Sequence, residues 1–393
     1  MKILVVTPYI PYPPSVGGSV RMYHLIRQLA RRHEIHLVTF CEAGGLGDPA
    51  GLAPYCRTIA TVPRYVGNKR RRQMRSLFQS RSYQLSSHTY PEMQTAIDQA
   101  AAAHGIEAVL VEFSQMGGYR FPEGLPLVVD EHNVEYDLLA RMAERGGWSL
   151  RKIFNLAEAR KFRREELALL RRATLTLTTS DRDRDVLRQA VSGLPVAVIT
   201  NGVDTDWFAP PPDPPPRRPR RVVFVGATHY FPNEDGVLFY MREIHARVRA
   251  ALPDVETAIV GGLPAPAVRA LASDKVLVTG VVPDVRPYLW EASAFIVPLR
   301  MGGGTRFKVV EAMAAGVPVV STRLGAEGIP VTHEREALLA DEPAAFAEAV
   351  VRLLTDAPLA RRLAAAGLEF VKASFDWRVI GDRIEEAWHE LER

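Results

Sequence analysis

Two cysteines, Cys41 and Cys56, are the only thiols in this 393-residue chain, and no metal-type or redox-type spacing relates them. Such scarcity argues against a disulfide-stapled scaffold and for a reducing cytoplasm. Long apolar runs are also missing. Met1-Lys2 leads into ILVV, which meets Pro8, Pro11, Pro13 and Pro14 too soon to form a signal-peptide core, and no later run could span a bilayer. The expectation is a cytoplasmic protein, peripheral at most on the inner face of the cell membrane. Charge of one sign is scarce too. Forty-nine basic and 45 acidic residues leave a net +4, too mild an excess to point to nucleic acid. There is no GxGxxG at the first strand–helix turn and no GxxxxGK[ST] anywhere, which disfavours a dinucleotide dehydrogenase and a P-loop ATPase.

What is present is alternation. The chain is 47% hydrophobic and 24% charged, as soluble globular proteins are, and too long for one ordinary core. KILVVTPY is a buried-strand run, and Val20–Arg32 carries helical spacing at Tyr23, Ile26, Leu29 and Ala30. EIHLVTF, AVLVEF, LVVDEH, TLTLTTS and VAVITNGV are further β-rich runs, most of them separated by helical segments. That order predicts a parallel sheet with right-handed crossovers. Pro210–Arg220, PPPDPPPRRPR, reads as a stiff linker. The alternation then restarts with RVVFVGA, ETAIVGG, VLVTGVV, AFIVPLR and PVVST, and the tail from about Ala344 is mostly helical. The fold class is α/β, two doubly wound parallel-sheet domains. They span 1–205 and 221–375, with a linker at 206–220 and a terminal helix at 376–393. Ligands in such sheets bind beyond the carboxyl ends of the strands.

The chemistry concentrates in Gly302–Thr322, GGGTRFKVVEAMAAGVPVVST. Gly302, Gly303, Gly304 and Thr305 open a helix, and Gly316-Val317-Pro318 ends it. Glycines let backbone amides approach an anion, and a helix N-terminus adds partial positive charge. Arg306 and Lys308 follow at once; they suit phosphate, or are solvated helix-start charges. Glu311 falls in the second turn and leans back towards the N-terminus, within reach of hydroxyls on whatever carries the phosphate. The stretch reads as recognition of a phosphorylated sugar or nucleotide.

Other candidates each have two readings. Gly17 and Gly18 lie between the first strand and helix, as an ordinary turn or a close approach to phosphate. In VVDEHNVEY, His132 stands just past a strand end, as a satisfied structural imidazole or a site residue. Asp130 and Glu131 beside it point to opposite faces, so the three are not one cluster. Gly226 ends the strand in RVVFVGATHYFPN, with His229 and Asn233 in the loop. DRDRD at Asp181–Asp185 imitates a metal motif, but Ser180 or Asp181 capping a helix accounts for it, and no metal is expected. Arg64, Lys69, Arg70, Arg71, Arg72 and Arg75 interleave with Tyr65, Met74, Leu77 and Phe78. That cluster is a solvated helix face or a contact with anionic lipid; nucleic acid is disfavoured for want of a binding module.

EAMAAGVPVV around Glu311, NGVDTDWF at Asn201–Phe208 and Pro11–Arg21 resemble glycosyltransferase family four, whose members have the GT-B fold. The likeness extends over nearly the whole chain. The usual family pattern has an earlier glutamate where this chain has Gly303, so the sequence resembles a branch with Gly-Gly-Gly-Thr-Arg-x-Lys before the helix. The resemblance implies two Rossmann-like domains facing a cleft, acceptor-side first and nucleotide-sugar-binding second, with Trp377–Leu391 crossing back to the first. It implies that Glu311 binds ribose hydroxyls, that Arg306 and Lys308 contact the diphosphate, and that Gly17-Gly18 faces the donor phosphates. His132 would contact the donor sugar. The implied reaction is retaining transfer of a hexosyl unit from a nucleoside-diphosphate sugar to a saccharide, lipid-linked or small-molecule acceptor. It would need no cofactor and would serve cell-envelope, exopolysaccharide or glycolipid synthesis, with Arg64–Arg75 meeting an anionic membrane surface. A GT-B nucleotide-sugar epimerase and a non-catalytic nucleotide-sugar binder are the alternatives, the second suggested by Gly303.

Overall fold

The computed structural model describes residues 1–14, 17–42, 44–45, 47–65, 67, 69–144, 150–301 and 306–391. Two compact units divide the chain: residues 1–200 with 381–393, and residues 201–380. The first is built on a seven-stranded sheet. Its strands are β1 (Lys2–Thr7), β2 (Glu34–Glu42), β3 (Thr58–Arg64), β4 (Ala108–Glu112), β5 (Leu127–Glu131), β6 (Leu175–Thr178) and β7 (Val196–Val198). They lie in the order β3-β2-β1-β4-β5-β6-β7 and pair in parallel. Helices on both faces bury β1, β4 and β5 almost completely, which is why these strands read as unbroken apolar runs rather than alternating ones. The register pairs Val6 with Val111 and Glu112 with Asp130, so β1, β4 and β5 end level beside the point where strand order reverses.

The second unit repeats this winding. Its strands β8 (Arg221–Val225), β9 (Glu256–Val260), β10 (Val276–Val278), β11 (Ala294–Val297), β12 (Val319–Ser321) and β13 (Leu338–Leu339) are ordered β10-β9-β8-β11-β12-β13. The edge strands β3 and β13 are absent from the sequence reading. β13 is two residues long, and β3 carries Pro63, which an edge strand tolerates because one side of its ladder is open. The proline-rich stretch is fastened to the second unit: Arg217 Nη2 donates to the Gly316 carbonyl at 2.6 Å and the Arg218 amide to the Glu291 carbonyl at 2.9 Å. The helix Trp377–His389 begins in the second unit and continues through residues counted with the first. There Trp388 is 1% exposed and His33 Nε2 lies 3.2 Å from Glu385.

Helices of the first unit used below are α1 (Gly17–Leu29), α2 (Lys69–Ser76), α3 (Tyr83–Ser86), α4 (Pro91–His104), α5 (Glu135–Glu144), α6 (Leu150–Leu170) and α7 (Asp181–Ala190). DRDRD forms the start of α7, with the Asp183 amide donating to Ser180 Oγ at 3.2 Å. On α6, Glu158, Glu165 and Glu166 share one face and cap two other helices. Glu158 and Glu165 accept from the amides of Tyr83 and Ser82 at the start of α3. Glu166 accepts from the amides of Glu135 and Tyr136 at 3.0 and 3.1 Å, and from Ser114 Oγ at 3.1 Å. Carboxylates satisfy amides that a helix N-terminus leaves open, and the field there favours negative charge. The α5 cap also fixes the short loop that carries His132.

Glu131 leaves β5 on the side facing this cap, beside Ser114, and is 1% exposed. Burial, then the charges of Glu166 and Glu135, push it well above the usual carboxylate range. Burial also lifts Glu166 to about 8 and Glu135 to about 7. Acids whose folded pKa is raised contribute stability that is present below the unfolded value and is lost as pH rises through the folded one. The contribution of these three acids to stability therefore falls from about pH 5 upwards, through the folded values near 7 and 8 and beyond them for Glu131. Glu131→Gln removes one proton that the fold must keep, so it flattens this fall and gains on the wild type at the alkaline end. Urea unfolding at pH 5.5 and pH 8.5 checks this; an identical pH dependence in the two proteins contradicts it.

Candidate active site

Beside the switch point of the first unit, the ends of β4 and β5 and the helix α1 deliver a buried ionic cluster. Arg21 on α1 donates from Nε and Nη2 to the two oxygens of Asp130 at 2.7 and 2.6 Å, and from Nη1 to the Ile199 carbonyl at 2.8 Å. His132 Nε2 lies 2.8 Å from Glu112 Oε2 and 3.3 Å from Asp130 Oδ2. Phe113 stacks on the imidazole with centroids 3.7 Å apart, and it does so from a left-handed φ of 67°. That conformation costs a non-glycine residue about 1–3 kcal/mol, so the surroundings must hold it. Tyr9 packs on Phe113 at 6.3 Å.

Burial opposes ionisation of Asp130, but Arg21 and then His132 outweigh it and hold the carboxyl well below its usual range. Glu112 is pushed up, by burial and by the charge of Asp130. Burial alone would lower His132; its bonds to Asp130 and Glu112 raise it instead. Glu112, Asp130 and His132 also bring potential metal-ligand atoms within 4.8 Å of one another. Asp130 already spends both oxygens on Arg21, and His132 Nε2 faces two carboxylates. The guanidinium supplies positive charge beside Asp130, and the imidazole shares a proton with Glu112, so hydrogen bonds account for the close approach of these groups. Tyr9 forms part of the wall of a cavity of about 210 Å³ that Tyr12, Ser19, Phe40, Cys41 and Glu42 also line.

In the second unit, Arg306 immediately precedes the helix Phe307–Ala314, which follows β11. Lys308 Nζ donates to Asn233 Oδ1 at 2.7 Å and sits 4.3 Å from the centroid of the Phe224 ring. Asn233 in turn donates to the Ala227 carbonyl at 3.0 Å. A Cβ on Gly226 would come 2.7 Å from Lys308 Nζ, so the missing side chain is what admits the ammonium at the end of β8. Behind it, Gly261 has φ of 146° and would push a Cβ to 2.2 Å from the Gly226 carbonyl oxygen. Burial, then Arg306, lower Lys308 to about 7, and burial lifts Glu311 to about 7 against the pull of Lys308. Arg306 is buried, with Nη2 3.7 Å from Glu327.

The structure therefore gathers His132 and Gly18 in one unit, and Gly226, Asn233, Lys308 and Glu311 in the other. Gly302, Gly303, Gly304 and Thr305 lie outside the described residues. Gly17 and Gly18 belong to the first turn of α1 instead of a turn before it. A Cβ on Gly18 would lie 2.2 Å from Tyr9 Oη and 3.0 Å from Phe113 Cζ, so aromatic packing accounts for that glycine. Arg64 leaves the basic cluster: its guanidinium is drawn in over Phe40 at 5.7 Å and lies 3.7 Å from Glu42. Sequence reasoning missed Arg21, Glu112 and Phe113. The available signal was a carboxylate closing each apolar strand, Glu112 in AVLVEF and Asp130 in LVVDEH.

The chain is similar in sequence and in fold to known proteins. Residues 16–207 fit the family model described as Glycosyltransferase Family 4, and residues 219–356 fit Glycosyl transferases group 1. The chain is 31% identical over 209 residues to a GDP-mannose-dependent alpha-(1-6)-phosphatidylinositol monomannoside mannosyltransferase of Mycolicibacterium smegmatis. That match covers 47% of this chain and 54% of the relative, so the chain spans about half the length of that protein. It is 26% identical over 279 residues to the lipopolysaccharide core biosynthesis mannosyltransferase LpsB of Rhizobium meliloti, covering 65% and 78% of the two chains. Sucrose-phosphate synthase from Thermosynechococcus elongatus shares the fold, with a TM-score of 0.70 over 100% of this chain and 99% of that one at 20% identity. With two doubly wound sheets and a family match in each half, the chain belongs to glycosyltransferase family 4 and has the GT-B fold.

Proposed function

We propose that the protein transfers a hexosyl unit from a nucleoside-diphosphate sugar to an acceptor hydroxyl, with retention at the anomeric carbon and without a metal. The observation that carries this reading is Lys308 held over Gly226 at the switch point of the second unit, with Glu311 one helical turn further on. A diphosphate bound there would pair with the ammonium and restore the charge that burial weakens. Charge grows on that leaving group as the glycosidic bond breaks, and preorganised positive groups stabilise it most where water is excluded. Arg306 is assigned the same task, and Gly302, Gly303, Gly304 and Thr305 are assigned phosphate contacts from their sequence. Glu311 would accept ribose hydroxyls.

The acceptor is assigned to the first unit. The Tyr9 cavity is smaller than the roughly 300 Å³ of a typical ligand pocket and suits one sugar ring, with aromatic faces for its C–H bonds and Glu42 for its hydroxyls. The mannosyltransferases resembling this chain are named for phosphatidylinositol mannoside and lipopolysaccharide core. A glycan of an envelope glycolipid is accordingly the proposed acceptor. No helix among the described residues is long and apolar enough to cross a membrane. Instead α2 exposes Arg71 and Arg75 next to Met74, 68% exposed, and Phe78, 91% exposed. Basic residues attract anionic headgroups and the apolar side chains insert between them.

If Glu311 accepts ribose hydroxyls, Glu311→Ala weakens binding of the cognate nucleoside diphosphate by about 1.5–3 kcal/mol while the protein stays folded. Calorimetry with GDP and UDP measures this, and unchanged affinity removes Glu311 from the site.

The surface reading predicts co-sedimentation with anionic but not neutral vesicles at low salt. Binding should be lost when Arg71, Arg72 and Arg75 are changed together to glutamine. Equal recovery in the supernatant with both lipids would make α2 ordinary surface.

A further inference from the structure

We infer that Glu112 is a positioning residue: with Asp130 it holds His132 by Nε2, so that the ring meets a sugar hydroxyl as an N–H donor from Nδ1. The transfer proposed above supplies the identity of that hydroxyl; the proton arrangement follows from the cluster itself. Asp130 accepts from Arg21 through both oxygens and is ionised, so it offers Nε2 only an acceptor. The 2.8 Å line between Nε2 and Glu112 Oε2 holds one proton. Placed on Nε2 of a ring that also holds Nδ1–H, it makes an imidazolium facing a carboxylate. Placed on Oε2, it makes a carboxylic acid donating to a neutral ring. Nδ1 carries a hydrogen in both cases, because the neutral ring has just one N–H and Nε2 is then the acceptor.

Two arrangements remain with Nε2–H and a bare Nδ1: one puts the proton of a neutral Glu112 on Oε1, as a buried O–H donor with no partner among the described residues, and the other has an ionised Glu112. The second leaves two carboxylates against Arg21 alone in a site where Glu112 is 0% exposed. Burying unbalanced charge of that kind is costly. The charged and titratable groups facing the ring are Arg21 from α1, Glu112 from β4, Asp130 from β5, Tyr9 after β1 and Glu135 on α5. Tyr9 stays a neutral phenol, pushed up to about 12 by burial and by Glu112. The Phe113 stack fixes the plane of the ring. With Nε2 engaged and Nδ1 protonated, His132 is a hydrogen-bond donor and leaves deprotonation of the acceptor hydroxyl to another group.

Long-range ¹⁵N spectra of the full-length protein test this, with the His132 signals assigned by their loss in His132→Gln. Nδ1 should be protonated at pH 7 in the wild type. In Glu112→Gln the amide oxygen still accepts from Nε2–H but supplies no negative charge, so Nδ1 should lose its proton about one pH unit lower or more. The same change should lower kcat by about tenfold or more while the donor KM moves little, and should shift the alkaline limb of the pH–rate profile by the same amount. Glu112→Asp keeps the charge and should restore that limb. A bare Nδ1 at pH 7 in the wild type, or unchanged titration in Glu112→Gln, overturns the inference, and the wild-type spectrum decides even if the variant fails to fold. A protonated Nδ1 in a protein that transfers no sugar supports the inference and removes the proposed reaction.

Discussion

The pairing of Arg21 with Asp130 is the constraint on which the first unit depends. One guanidinium ties helix α1 to the end of β5 and, through the Ile199 carbonyl, to the segment after β7. Both partners are fully buried, so neither is tolerable alone: removing one member of such a pair typically costs about 3–5 kcal/mol because the other stays charged and unpaired. The pair also sets the local charge against which Glu112 and His132 share their protons. Packing, register and chemistry meet in one interaction at the carboxyl edge of the sheet.

The second unit reaches a comparable result by a different route. There, two glycines back to back, Gly226 and Gly261, bring β8 and β9 close and leave room above Gly226 for a lysine ammonium. Lys308 rests on an aromatic face and a single amide oxygen, with no carboxylate hydrogen-bonded to it among the described residues. A cation held this way is underneutralised and favours an incoming anion. The Arg21–Asp130 pair is matched charge for charge, whereas Lys308 has an amide oxygen and an aromatic face as its partners. That contrast fits the roles proposed for them, sugar positioning in one unit and diphosphate binding in the other.

Much of this was legible in the sequence where burial is two-sided. Strands such as KILVV and AVLVE lie between helices on both faces, so their hydrophobic runs are continuous and easily seen. Edge strands with Pro63 or only two residues carry no such signal. Lys308, Glu311 and Gly226 could be named because local spacing around a helix start and a strand end suffices. Glu112 could not, since its meaning depends on pairing with Asp130 across 18 positions of sequence, and only the register of β4 on β5 supplies that. Glycine misled in one place: Gly18 reads as a turn, yet it begins α1 because Tyr9 and Phe113 occupy the space of its side chain. The glutamates of α6 look like solvated helix charges, and only the tertiary fold reveals them as caps for α3 and α5.

The central claim is that the second unit binds a nucleoside-diphosphate sugar on Lys308 and Glu311. A crystal structure of the protein with GDP-mannose or UDP-glucose tests it most directly. Diphosphate oxygens should lie within hydrogen-bonding distance of Lys308 Nζ, and ribose hydroxyls on the Glu311 carboxylate. A nucleotide bound elsewhere, with Lys308 still donating to Asn233 and Glu311 untouched, would contradict it.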